Sequence, residues 1–276
     1  MTYQAIPCAK THEAAVHRSL KVQRLYCCVV MKNELQFGMG VGGGGLSNYM
    51  TQEKREAMRS AVLHSAALLF LKEGYAKTPL SRISEHSGVQ ISAINREFQG
   101  KGNILCALID HVVNGQFSTA QRLMTGASND PVFYYALETA LQLHMAESSP
   151  AIKELYVTAY QLKESLEHIR QSVIARLIKP SFSSYLPDAT DEEFYLLDVA
   201  TTGIILSHMS MPCSGEFTIR DKTRHYLDAS LRVYKVPEEK IQAAVAFTEQ
   251  FDLSAVAQQT IQQMITALET ESVSSA

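Results

Sequence analysis

The densest set of groups able to read a polyanion lies between residues 78 and 98, in the run TPLSRISEHSGVQISAINREF. Ser84, Gly88 and Ile94 stand at spacings of four and six, which fits two short helices joined by a tight turn. A small residue lets the helix backbones approach. Glycine accepts a positive φ at the turn, and an apolar anchor seats the second helix on the core. Val89 and Phe98 supply further anchors. The second helix then exposes Gln90, Ser92, Ala93, Asn95, Arg96 and Glu97. The chemistry on offer is non-covalent. Gln90, Ser92 and Asn95 are candidates for base edges in a major groove that admits one helix, and Arg96 for a phosphate or a guanine. The plainer alternative is a helical hairpin with a glycine turn and a solvated outer face.

Several elements must hold this pair. In Glu53–Glu73, Met58, Ala61, Val62, Ala66, Leu69 and Phe70 follow the i, i+3, i+4 rhythm of one helical face. Gly74 ends that helix. Thr78-Pro79 predicts an N-cap with proline at the first helical position and a short helix over Pro79–His86. The second short helix, Ile91–Phe98, puts Ile91, Ile94 and Phe98 inward. After Gly100-Lys101-Gly102 a longer helix begins near Asn103. Further on, Asp130-Pro131 and Ser149-Pro150 are cap-plus-proline starts, and Thr190-x-x-Glu193 is a capping box. Val236-Pro237 opens another helix, and Ser254 is expected to cap the last. Strand-like alternation is missing. The chain reads as all-α, with nine to eleven helices.

Composition narrows the function. The 276 residues allow one or two domains. With 46% hydrophobic and 19% charged residues, a large core forms and global disorder is excluded. No apolar run is long enough for a transmembrane helix, and the first residues lack the apolar stretch of a secretory leader, so the expectation is a cytoplasmic protein with no membrane partner. Five cysteines without a C-x-x-C pair argue against a disulfide scaffold or a cysteine-rich zinc site. His64, His86 and His111 are 22 and 25 residues apart, which supports no shared metal. No G-x-S-x-G, H-E-x-x-H, P-loop or dinucleotide fingerprint occurs. No catalytic residue, metal or cofactor is therefore expected. Residues 1–117 carry net charge +5 and residues 118–276 carry −8, so the first part suits a polyanionic partner. Residues 1–49 stand apart through Gly38, Gly40 and the run Gly42–Gly45. Two readings stand: an extension on a glycine linker, or a start codon placed upstream of a true start near Met50.

The run AALLFLKEGYAKTPL, followed by ISEHSGVQISAINREF and QGKGNIL, resembles the tetracycline-repressor (TetR) family of bacterial regulators over about residues 53–113. Phe70, Gly74, Tyr75, Thr78, Ile83, Ser84, Gly88, Val89, Phe98 and Lys101 fill the places that members of that family characteristically occupy. The resemblance implies a three-helix DNA-binding domain over 50–113, and a helical bundle for ligand binding and dimerisation over 114–276. It also implies a regulator of transcription, most simply a repressor that a small ligand releases from its operator. Two positions depart from the pattern. Asn95 stands where the family usually has a phosphate-touching tyrosine, and Gly102 where it usually has glutamate. Thr78 is expected to cap its helix and touch phosphate. Lys101, ahead of a helix N-terminus, is expected to attract phosphate. Lys54, Arg55 and Arg59 are further backbone-contact candidates, and Glu97 would repel DNA unless it pairs or turns away. The alternative function is a helical dimeric interaction protein that kept the fold and lost specific reading.

The segment Phe194–Met211 is apolar on nearly all sides and must be covered all round. One side suits the chain's own core and the other a second copy, so a homodimer on a roughly palindromic double-stranded operator is expected. The final stripe of Ala255, Val256, Ile261, Met264, Ile265 and Leu268 is a second candidate seam. By the resemblance, an effector pocket lies among these helices. Its candidates are Phe117, His144, Tyr156, Tyr160, Tyr195, Thr201 and His208, polar tips on apolar faces, and the apolar walls suit a hydrophobic or aromatic effector.

Overall fold

A computed structural model describes residues 52–274. The extension over 1–49, with its glycine run and with Cys8, Cys27 and Cys28, lies outside the described residues, as does the side chain of His111. Within 52–274 every regular element is helical.

The first part of the described chain is built from α1 (Gln52–Glu73), α2 (Leu80–Ser87), α3 (Ile91–Phe98) and the start of α4 (Lys101–Met124). Val62, Ala66, Leu69 and Phe70 of α1 close on Ile83, Ile94, Phe98, Ile104 and Leu105. Gly88 ends α2 in the left-handed region at φ +69°, as the turn requires. The Ser84 hydroxyl donates to the Val89 carbonyl at 2.6 Å, which ties the α2–α3 crossing. Helix α2 starts one residue later than the sequence suggests, with Pro79 in the N-cap position and no side-chain cap.

The remaining helices are α5 (Pro131–Glu147), α6 (Pro150–Gln161), α7 (Lys163–Val173), a π turn (Ile174–Ile178), α8 (Lys179–Phe182), α9 (Asp191–Ser210), α10 (Ile219–Val233), α11 (Glu238–Thr248) and α12 (Leu253–Ser274). Asp130, Ser149 and Thr190 cap α5, α6 and α9 as their sequence signals require. A second capping box, Thr218 with Asp221, opens α10. Ser254 does not cap α12: Asp252 accepts from the Ala255 N–H at 3.0 Å, and the Ser254 hydroxyl pairs with His144. The π turn stands directly before Pro180. Proline offers no N–H and crowds the carbonyl four residues back, so the helix widens there instead of continuing regularly.

Helix α5 is the hub. Its sides from Tyr135 to Met145 are buried almost all round, and it packs against α4, α6, α10, α11 and α12. The final helix lies on α5, α1 and α4 of its own chain, with Ile261 buried and Met264, Ile265 and Leu268 packed on the core. The stripe is thus partly covered within the chain, with Val256, Met264, Ile265 and Leu268 half-buried and Ala255 exposed. Helix α9 is two-faced. Phe194, Asp198, Thr201, Ile205 and Met209 face inward, whereas Leu196 is 58% exposed and Tyr195, Val199 and Met211 are also exposed.

Candidate nucleic-acid interface and effector cavity

On α3, Ile94 and Phe98 are buried and Gln90, Ser92, Asn95 and Arg96 are exposed, with Ala93 half-buried between them. Arg96 has no ion-pair partner among the described residues, so its charge is available. Ile91 departs from expectation. It is 41% exposed, because it opens the helix on the outer side and the core is already filled by Ile94 and Val89. An apolar side chain there suits a thymine methyl.

Glu97 does not repel a polyanion from the outer face. Its carboxylate turns back to α1 and accepts from Arg55 at 2.7 and 3.1 Å and from Arg59 at 3.4 Å. Hydrogen bonding from Arg55 holds its pKa below the ordinary carboxylate value. The Arg59 guanidinium also lies over the Phe98 ring at 5.0 Å. Arg55 and Arg59, read from sequence as backbone contacts, are therefore the braces that fix the angle of α3.

Of two expected phosphate contacts, Thr78 is spent internally and Lys101 in part. Thr78 is fully buried; its hydroxyl donates to the Gly74 carbonyl at 2.8 Å and its N–H to the Tyr75 carbonyl at 3.2 Å. It secures the α1–α2 turn and cannot reach DNA. The Lys101 ammonium donates to the Tyr75 carbonyl at 2.7 Å and lies over the Tyr75 ring at 4.0 Å. Burial lowers its pKa. Lys101 clamps the head of α4 to the same turn, with two N–H groups left over. Behind that turn, Glu154 of α6 accepts from the Ala76 N–H at 2.9 Å.

A cavity lies below this head, between α4, α5, α6 and α7, with about 40 Å³ of room for the centres of water-sized occupants. Its walls are aliphatic, from Leu105, Ile109, Val112, Leu155, Ile169 and Val173. Gln116, Glu138, Gln142, Tyr156 and Tyr160 supply its polar groups. The Tyr156 hydroxyl donates to Gln116 Oε1 at 2.9 Å, Gln116 Nε2 to Glu138 Oε1 at 2.5 Å, and Gln142 Nε2 to the Tyr160 hydroxyl at 2.7 Å.

Of the seven effector candidates, Tyr156 and Tyr160 line this cavity and five do not. Phe117 is buried beneath Arg176. His144 pairs with Ser254 Oγ at 2.9 Å under α12. Tyr195 sits on the outer face of α9 beneath the Arg170 guanidinium. Thr201 shares a hydrogen bond with the Tyr234 hydroxyl at 2.9 Å, and His208 Nδ1 lies 2.7 Å from the Ile204 carbonyl. Gln116, Glu138 and Gln142 escaped sequence reading. The one available signal is Glu138 itself, a lone acid inside the apolar run VFYYALETALQLHMA.

A short outward-facing helix braced from behind and joined by a glycine turn to a second helix has the form of a helix-turn-helix. The sequence model described as "Bacterial regulatory proteins, tetR family" matches residues 62–108, the second half of α1 through the start of α4. An uncharacterized HTH-type transcriptional regulator from Mycobacterium bovis is 24% identical over 130 residues, 46% of this chain and 67% of the relative. A regulator of the same description from Mycobacterium tuberculosis strain H37Rv matches to the same extent. Among solved structures, RolR in complex with its ligand resorcinol superposes with a TM-score of 0.57 at 16% identity, covering 70% of this chain and 95% of RolR; that likeness is one of fold. Over residues 62–108 the chain is therefore similar to the DNA-binding part of TetR-family transcriptional regulators, and over most of its length it shares their helical fold.

Proposed function

We propose that the protein binds a roughly palindromic operator as a homodimer, represses from it, and is released by a small apolar or aromatic ligand held in the cavity below the head. The observation that carries the reading is the outer face of α3. Gln90, Ser92, Asn95 and Arg96 point away from the core, while Glu97 fastens the helix through Arg55 and Arg59. Rigid presentation of short polar groups is what base reading requires, because each good bidentate pair discriminates by only about 1–3 kcal/mol. The exposed apolar face of α9 supports the homodimer. Two copies facing each other there would cover Leu196 and Val199. A pocket with aliphatic walls and a few converging polar groups is the usual form of a small-molecule site, and RolR carries its resorcinol on the same fold.

Fluorescence anisotropy on DNA from upstream of the protein's own gene, against scrambled DNA across a salt series, tests the reading. The expected result is a specificity ratio on the order of 10³–10⁷. Equal affinity for both DNAs, repeated on neighbouring intergenic regions, would favour a helical interaction protein that has lost specific reading.

A further inference from the structure

Buried charges in proteins are as a rule paired, because an isolated ion loses its hydration without compensation. Glu138 breaks this rule. It stands midway along α5 and is 3% exposed. Among the described residues its carboxyl makes one hydrogen bond, to the Gln116 amide, whose own oxygen accepts from Tyr156. The Tyr156 hydroxyl and the Gln116 amide both donate in the direction of Glu138, which itself lines the cavity, and Gln116 is the one donor recorded on its carboxyl among the described residues. The nearest cation, Arg176, is turned elsewhere. Its guanidinium donates to Asn114 Oδ1 at 2.5 Å and covers the Phe117 ring at 4.2 Å.

We propose that the cavity takes a compact organic cation, a protonated amine on an apolar frame, whose ammonium donates to Glu138. The proposal rests on reading the cavity as the effector site and names the chemistry of its occupant. An ammonium supplies both things that Glu138 lacks, a second donor to its carboxyl and a countercharge in a low-dielectric place. The frame of the ligand would lie against Tyr156, Tyr160, Ile169 and Val173, aromatic on one side and aliphatic on the other, surfaces that suit an alkyl or aryl ammonium. Burial pushes the Glu138 carboxyl up to about 7, with the Gln116 hydrogen bond and the Arg176 field acting in the opposite direction. Tyr134 also feels its charge. The carboxyl is therefore poised between acid and carboxylate near neutral pH, and a bound cation would hold it as the carboxylate. The room in the empty cavity suits a water or a few, so an aromatic ligand must part the walls. Val173 stands directly before the π turn Ile174–Ile178, where the helix is already widened.

Calorimetry on the full chain at about pH 8, where an alkylamine stays protonated, tests this with three probes of matched shape: benzylammonium, benzyl alcohol and benzoate. Benzylammonium should bind at least about tenfold tighter than benzyl alcohol, a difference of about 1.4 kcal/mol, and benzoate not at all. E138Q should bring benzylammonium to the level of benzyl alcohol and leave the alcohol unchanged. The variant should melt no lower than the parent at that pH, which shows that it folds. Preference for the neutral probe, retention of benzylammonium by E138Q, or no binding of benzylammonium by the parent would each overturn the proposal. Anisotropy on operator DNA separates the two readings. Benzylammonium that binds through Glu138 without releasing DNA upholds the cation site and refutes the effector role.

Discussion

Replacing Gly74 by alanine probes how the DNA-reading head is fastened to the helices behind it. Gly74 has φ +92°, and a Cβ built there lies 2.6 Å from Glu154 Oε2. The left-handed backbone alone costs a residue with a Cβ about 1–2 kcal/mol. The carboxylate can swing away from the new methyl, but its other oxygen holds the Ala76 N–H at 2.9 Å. Losing a hydrogen bond to a charged acceptor costs about 1.5–3 kcal/mol when buried, and about 1 kcal/mol at a site as open as Ala76. Gly74→Ala should therefore destabilise by about 2–3 kcal/mol, and Glu154→Ala by about 1 kcal/mol. The two are not independent, because the first already displaces the carboxylate that the second removes. The double variant should fall within about 0.5 kcal/mol of Gly74→Ala alone. Urea denaturation of the four proteins gives all three values. A Gly74→Ala protein within about 0.5 kcal/mol of the parent, or full additivity, would contradict a fastening of the turn through Glu154.

Other perturbations have equally definite outcomes. Gly102→Ala should stabilise by about 0.5–1 kcal/mol in the same denaturation assay, since the position is helical and the nearest atom to a new Cβ is Leu162 Cδ1 at an ordinary 3.6 Å. Leu196→Glu puts a charge on the exposed apolar face of α9 and should convert dimers to monomers in sedimentation velocity, with melting of the monomer little changed. His144 is held down to about 4 by burial, against an ordinary 6.5. The unfolded chain therefore takes up a proton between those values that the folded chain refuses. The stability that comes from the neutral ring is complete above pH 6.5 and is lost as pH falls towards 4, so His144→Gln should flatten that limb of the stability–pH curve.

What the sequence disclosed followed local rules. The turn at Gly88, the anchors Ile94 and Phe98, the caps Asp130, Ser149 and Thr190, and the outward set on α3 depend on neighbours within a turn or two. The errors are tertiary. Thr78 and Lys101 looked like phosphate ligands because hydroxyls and ammonium groups near helix starts often are. Thr78 is buried and donates to the Gly74 carbonyl, and Lys101 gives one of its three N–H groups to the Tyr75 carbonyl, main-chain acceptors with no sequence signature. Glu97 was suspect from its place on the reading helix, and only the approach of α1 from 42 residues away shows its use. Five of the seven effector candidates lie away from the cavity for a related reason. Polar tips on apolar faces mark buried hydrogen bonds as readily as a cavity, and Thr201 and His144 are of the first kind. The polar groups that do reach the cavity sit on α4, α5 and α6, and Glu138 lies within a helix whose burial on all sides hides its periodicity.

Base reading by α3 is the proposal on which the function rests. The most direct test measures Asn95→Ala and Arg96→Ala against the full set of single-base variants of one operator half-site, by anisotropy at fixed salt. Asn95→Ala should flatten discrimination at one position by about 1–3 kcal/mol and leave the others intact. Arg96→Ala should either flatten one neighbouring position or, as a phosphate contact, weaken all variants alike and lower the salt slope by about 0.9. Equal loss on every variant for Asn95→Ala, or no loss for either protein, would contradict the account.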